Sequence, residues 1–301
     1  MLIPNQKIDL PLLKESGITL YVKREDTIHP HISGNKYRKL KYNLVEAKRQ
    51  GHDTLLTFGG AFSNHIAATA YAAKEAGLKT IGVIRGEELT EKWQENPTLK
   101  QASEHGMQFH FVPRDAYREK TSPDFVKNLE DKLGKFYLVQ EGGTNALAIK
   151  GCEEILTEED GNIDFICCAV GTGGTLSGII NSANAHQTVL GFPALKGGFL
   201  RGEISKFTQN NNWDIISDYH FGGYAKINSE LVDFINNFKK KTGIPLDPVY
   251  TGKMLFGIFD LINKGFFKSG TQILAIHTGG LQGIKGMNEV LKRKNLPLLD
   301  L

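Results

Sequence analysis

The chain has little cysteine. Cys152, Cys167 and Cys168 are the three in 301 residues, an odd number with two of them adjacent, and no Cys-x-x-Cys pair occurs. This argues against a disulfide framework and against a thiolate metal site. Reduced, buried thiols in a cytoplasmic chain are expected, with no metal. Long apolar runs are missing as well. Gly or charge interrupts each of them well short of the roughly 20 residues a membrane span needs, so no membrane association is expected. Met1–Leu13 carries Asn5, Gln6, Lys7 and Asp9 among its apolar residues and lacks the basic-then-apolar order of a secretion signal. Charge of one sign is scarce too: the net value is +3, too small to imply nucleic acid. No low-complexity linker and no repeat with a period of about 20–50 residues is visible.

What is present is a globular pattern, 40% hydrophobic and 23% charged, long enough for one large domain or two ordinary ones. Short apolar runs read as strands at Leu20–Lys23, Thr54–Phe58, Thr80–Ile84, Gln108–Val112, Phe136–Val139, Phe165–Val170, Val189–Phe192 and Ile273–His277. Helical patterns lie between them. Tyr37, Leu40, Leu44 and Ala47 share one helix face. Ser63–Gly77 is rich in Ala, with a Ser cap and a closing Gly. Asn96-Pro97 reads as a cap followed by Pro at the first helical position. Ser229–Thr242 and Gly280–Lys292 are further helices. Strand–helix alternation implies an α/β fold with mostly parallel, twisted sheets flanked by helices. Ligands of such folds sit beyond the C-terminal strand ends, so the strand-to-helix turns are where chemistry is expected.

Five turns stand out. In Ser33-Gly34-Asn35-Lys36 a small, pliable run leads into a helix. The positive helix end and desolvation would both disfavour an ammonium at Lys36. An amine that is neutral part of the time can carry an aldehyde cofactor covalently; the alternative is a surface lysine. Gly59-Gly60-Ala61-Phe62-Ser63-Asn64-His65 opens the Ala-rich helix, whose backbone amides suit a carboxylate, unless Ser63 is only a cap. Gly171-Thr172-Gly173-Gly174-Thr175 follows the most apolar strand and suits a phosphate. Leu176 stands where a dinucleotide fingerprint needs its third Gly, no acid for a ribose follows about 20 residues on, and no Gly-Lys-Ser/Thr closes a P-loop. A phosphate without adenosine suits pyridoxal 5′-phosphate; close packing alone is the other reading. Tyr250, in Asp247-Pro248-Val249-Tyr250-Thr251-Gly252-Lys253, can present a phenol to a cleft or cap the core. Thr278, in His277-Thr278-Gly279-Gly280, can hydrogen-bond a ligand edge or sit in a bare turn.

Taken in order, these turns resemble the fold-type II pyridoxal-phosphate enzymes with a tryptophan synthase β-like fold. The likeness is to the branch holding 1-aminocyclopropane-1-carboxylate (ACC) deaminase and D-cysteine desulfhydrase. It rests on Lys23-Arg24-Glu25-Asp26, on Gly34–Leu40 as G-N-K-x-R-K-L, on Ser63-Asn64-His65, on Gly171–Thr175, and on Asp247–Lys253 as D-P-V-Y-x-G-K. The resemblance spans about residues 8 to 285. It implies two domains: a larger, cofactor-binding one from 1–36 and 151–301, and a smaller inserted one at 37–150. It also implies a homodimer and a small amino-acid substrate. Lys36 would hold the cofactor and move protons. Asn64 would lie near its 3′-oxygen, Gly171, Thr172, Gly173, Gly174 and Thr175 around its phosphate, and Thr278 at its pyridine nitrogen. Ser63, Asn64, His65 and Tyr250 would meet the substrate, with Lys36, Ser63 and Tyr250 catalytic.

ACC deaminases carry Glu after the tyrosine and Leu in the later turn, where this chain has Thr251 and Thr278. Those departures, with His65, match the D-cysteine desulfhydrase side. The expected activity is therefore β-elimination from D-cysteine to keto acid, ammonia and sulfide. The alternative is ACC deamination to 2-oxobutanoate and ammonia. The segments Gly86–Trp93 and 195–212 look trimmed. A non-catalytic pyridoxal-phosphate binder and a nucleotide-binding α/β protein are the rivals from other classes.

Overall fold

A computed structural model of the chain describes residues 3–32 and 34–300. Among the described residues ten strands form two sheets: β1 (Asn5–Lys7), β2 (Thr19–Lys23), β3 (Thr54–Gly59), β4 (Lys79–Arg85), β5 (Met107–Val112), β6 (Tyr137–Val139), β7 (Phe165–Val170), β8 (Thr188–Pro193), β9 (Trp213–Ile215) and β10 (Gln272–Ile276). One sheet has the order β1-β2-β10-β7-β8-β9, the other β5-β4-β3-β6. All pairings are parallel except the edge pair β1–β2.

The central strand β7, Phe-Ile-Cys-Cys-Ala-Val, is apolar at every position because both of its faces are covered. Cys167 joins the core layer built on one face of the six-stranded sheet and Cys168 the layer on the other. The alternation of side chains along a strand therefore turns the adjacent thiols to opposite faces, and all three cysteines are free and buried. On the smaller sheet the helix Asn64–Glu75 buries Ala67, Ala68, Ala70, Ala72 and Ala73. Small side chains let that helix lie close against β3.

The strands expected from the sequence are present within one or two residues at each end. Asn96 caps the helix Pro97–Glu104 by accepting from the amides of Thr98 and Leu99, as its Asn-Pro signal implies. The last expected helix starts later, at Gly283, because Gly279 and Gly280 take positive φ angles of 81° and 95° and hold an open turn. No helix among the described residues is long and apolar enough to cross a membrane.

Candidate active site

A cleft of about 700 Å³ opens between the two sheets. Its walls come from segments just past the C-terminal ends of β3, β4, β6, β7 and β10, together with the start of the helix Asn35–Arg49. This is where parallel sheets place ligands. Lys36, Ser63, Asn64, His65, Gly171, Thr172, Gly173, Thr175, Tyr250 and Thr278 all line it.

Lys36 enters through Gly34, whose φ of 48° and position against the Thr278 carbonyl leave no room for a Cβ. The amide of Asn35 donates to that same carbonyl at 3.3 Å, tying the lysine corner to the Thr278 turn. The Asn35 side chain donates to Thr175 Oγ1 at 2.7 Å and accepts from Lys36 Nζ at 3.1 Å. Desolvation in the cleft, assisted by the Lys39 charge, lowers the Lys36 ammonium from 10.5 to about 7. Half or so of the amine is then neutral at pH 7, the form that bonds to an aldehyde.

The turn after β7 passes through Gly173, with φ 89°, into the helix Gly174–Ser182. A Cβ at Gly174 would sit 2.8 Å from Thr144 Oγ1 and 3.3 Å from Lys39 Nζ. Lys39, a residue missed in the sequence reading, is 2% exposed. Its ammonium donates to Gly142 O at 3.0 Å and Thr144 Oγ1 at 3.2 Å, and among the described residues it makes no ion pair. A buried cation held only by neutral acceptors calls for an anion. Beside it stand a helix N-terminus and the hydroxyls of Thr172, Thr175 and Thr144, with Thr144 and Thr172 hydrogen-bonded at 2.6 Å. This donor set fits a phosphate, and with Lys36 it fits a phosphorylated aldehyde. Lys39 was findable: one helical turn beyond Lys36, it shares that residue's side of the helix.

Ser63 caps the helix Asn64–Glu75, its Oγ accepting from the Ile66 amide at 3.3 Å. Asn64 turns towards the Thr278 loop, where a Cβ at Gly280 would lie 2.9 Å from its Nδ2. His65 has a defined tautomer. Thr57 gives its single hydroxyl proton to Val139 O at 2.8 Å, so towards His65 Nε2, also at 2.8 Å, it can only accept. Nε2 therefore carries the proton. Burial, with Lys36 and Lys39 nearby, holds His65 well below its usual pKa and keeps it neutral. Its Nδ1 is buried without a partner among the described residues. His65 thus lines the cleft as a neutral ring, not as a cation for a carboxylate.

Tyr250 precedes the helix Thr251–Asn263. The Asp247 carboxylate caps that helix, accepting from the amides of Val249, Tyr250 and Thr251 at 2.9, 3.0 and 2.7 Å and from Thr251 Oγ1 at 2.8 Å. Thr251 is consumed in this cap and is fully buried outside the cleft wall. Of the two threonines that set this chain apart from ACC deaminases, only Thr278 faces the cleft. Burial and the neighbouring Tyr224 raise the Tyr250 phenol well above its usual value, so it is protonated and a donor at neutral pH. Tyr224, also missed in the sequence reading, meets Tyr250 edge to face, ring centres 6.3 Å apart.

The chain is similar to known proteins over most of its length. A family model described as pyridoxal-phosphate dependent enzyme matches residues 3–279. A Pyrococcus abyssi protein provisionally named 1-aminocyclopropane-1-carboxylate deaminase is 33% identical over 294 residues, covering 90% of this chain and 87% of its own length. The mitochondrial Arabidopsis thaliana protein named bifunctional D-cysteine desulfhydrase/1-aminocyclopropane-1-carboxylate deaminase is 32% identical over 310 residues, or 93% of this chain and 77% of its own length. A solved structure described as an ACC deaminase homologue superposes with a TM-score of 0.83 at 30% identity, over 97% of this chain and 94% of that one. The chain belongs to the pyridoxal-phosphate dependent enzymes.

Proposed function

We propose that this enzyme eliminates a β-substituent from a small D-amino acid, with D-cysteine as the reference substrate. D-cysteine and one water would give sulfide, pyruvate and ammonia. Pyridoxal phosphate, when bound, supplies the electron sink for the carbanion at Cα. Lys39 and the Gly171–Thr175 turn would hold its phosphate, Asn64 its 3′-oxygen side, and Thr278 its pyridine nitrogen. The observation that carries the reading is Lys36, an amine with a pKa of about 7 at the crossing of a phosphate cradle and the Ser63–His65 helix start. Lys36 Nζ would also take the substrate's α-proton. Ser63 and the amides at the start of the helix Asn64–Glu75 would orient the α-carboxylate, with His65 as a neutral wall. Tyr250, held protonated, would donate to the leaving sulfur. Residues 37–150, which contain β3 to β6, would form the smaller domain, and 1–36 with 151–301 the larger. A cytoplasmic homodimer completes the proposal.

ACC deamination is the second reading, favoured by the names of the relatives. Thr278 on the cleft wall, where ACC deaminases carry Leu, supports the first. The test is an absorption spectrum of the purified protein, then D-cysteine and ACC assayed side by side for sulfide and keto acid. The expected result is a band of lysine-bound cofactor that Lys36→Ala abolishes, with sulfide from D-cysteine. Keto acid from ACC alone would transfer the proposal to the second reading.

A further inference from the structure

Lys36 and Lys39 answer to the cofactor's aldehyde and phosphate. Arg85 does not. It ends β4 on the cleft wall contributed by the smaller sheet. The two acids on that wall have bases of their own: Glu88 pairs with Arg114 at 2.6 Å and Glu141 with Lys120 at 3.2 Å. The Arg85 guanidinium makes no ion pair and no hydrogen bond among the described residues. Its contacts are of other kinds. The guanidinium carbon lies 5.8 Å from the centre of the Tyr117 ring, and that ring is buried with its hydroxyl fixed on Glu141 Oε1 at 2.9 Å. A Cβ at Gly60 would come to 3.6 Å from Arg85 Nη2. The guanidinium is thus steadied by an immobile ring at one side of the Gly60–Ser63 turn, with its five donors unspent. Its charge also reaches the Tyr224 phenol, which lines the same cleft.

The α-carboxylate already has a place, the start of the helix Asn64–Glu75. A further cation a few residues from that place, exposed to the cleft and matched by no acid, is surplus to an uncharged side chain. We propose that Arg85 determines specificity by receiving a second anionic group, a carboxylate or comparable oxyanion on the substrate's β-substituent. The inference rests on the elimination reading and narrows its substrate class. With S-carboxymethyl-D-cysteine as the probe, the Cβ–S bond breaks, the α-proton leaves to Lys36, and one water is consumed. The products are thioglycolate, pyruvate and ammonium.

The test compares that probe with its carbamoylmethyl counterpart, equal in size and uncharged. Both are followed with the holoenzyme by keto acid formation and by displacement of the lysine-bound cofactor band, with D-cysteine as a parallel control. The acid is expected to exceed the amide in kcat/KM by about tenfold or more, the range of a charge-assisted hydrogen bond. Arg85→Gln should bring that ratio near one and Arg85→Lys restore part of it. A wild-type ratio of one or below overturns the proposal. So does a ratio that Arg85→Gln leaves intact while both rates fall, which would assign Arg85 to the α-carboxylate. If D-cysteine and both probes go unreacted, the elimination reading fails by itself. The acid-over-amide binding ratio from the band titration then decides the role of Arg85 by the same criteria.

Discussion

Arg38 grips Glu25 with two parallel hydrogen bonds, Nε to Oε2 at 3.0 Å and Nη2 to Oε1 at 2.8 Å, and the carboxylate is fully buried. The pair joins the segment after β2 to the helix that carries Lys36 and Lys39, and so fixes where that helix starts. A buried ion pair adds little net stability over an apolar pair, yet losing one partner strands a charge. Arg38 has a second acid in Glu154 at 3.5 Å, whereas the buried Glu25 carboxylate is held by Arg38. Arg38→Met, which strands Glu25, is therefore expected to destabilise the fold by about 3–5 kcal/mol. Replacing both residues with apolar ones of similar volume should cost much less. Urea unfolding of the three proteins checks this; equal losses for the single and double variants would refute it.

Lys39 is expected to act on the phosphate end of the cofactor alone. Lys39→Met keeps the apolar stem and removes the ammonium beside the Gly171–Thr175 turn. It should weaken pyridoxal phosphate by about 10- to 100-fold, the worth of a hydrogen bond to a charged group, and leave pyridoxal, which lacks the phosphate, nearly unaffected. Absorbance titrations of the cofactor-free protein with both compounds measure the difference. Equal weakening of the two would mean that Lys39 serves only the packing around Gly142 and Thr144.

Much of this arrangement could be read from residue order because it is local. A central strand such as β7 must be apolar throughout, and a Gly-rich turn after it must be a cradle or a close-packed corner. Lys36, Ser63 and Tyr250 stand at turns that open helices, and all three line the cleft. The edge strand Asn5–Lys7 was not legible, since three polar-looking residues carry no period. The expected helices omit Pro123–Leu133, although Ser122-Pro123 repeats the Asn96-Pro97 signal. Arg85 and Tyr224 escaped for another reason: they reach the cleft from opposite sheets, a relation no spacing encodes. Thr251, next to Tyr250 in D-P-V-Y-x-G-K, is spent on the helix cap by Asp247.

The Lys36 amine sets a pH dependence with a defined sign. Folding lowers its pKa from 10.5 to about 7, so between those values the unfolded cofactor-free chain holds more protons than the folded one. Stability from this group rises with pH across that window and is flat below it. Lys253, lowered to about 8 by burial, contributes with the same sign over a narrower range. The melting temperature of the cofactor-free protein should therefore climb from pH 7 to about pH 8.5, above which the buried thiols, Cys152 raised to about 11 and Cys168 to about 12, act with the opposite sign. Lys36→Met should flatten much of that climb. A slope unchanged in the variant would place the titration elsewhere.

Lys253 is expected to govern Tyr224 at a distance. Its ammonium, 2% exposed, donates to His220 O at 2.9 Å and Gly223 O at 2.8 Å. The turn it holds runs through positive φ at Phe221, Gly222, Gly223 and Ala225, 53°, 89°, 119° and 54°. For the two non-glycine residues that conformation costs on the order of 1–3 kcal/mol each, so the turn persists because it is pinned. Lys253→Met fills the same space without the two hydrogen bonds and should let the turn relax, carrying Tyr224 away from Tyr250. The cofactor band should be retained, because Lys253 lies outside the cleft wall that Lys36 lines. Turnover should fall about tenfold or more, mainly in kcat, the size of effect that a misplaced group produces. If Lys253 acts through Tyr224, the double variant with Tyr224→Phe should be no slower than Tyr224→Phe alone, since the two changes remove one function. Additive losses would instead mean that Lys253 supports the fold as a whole, which a matching drop in melting temperature would reveal.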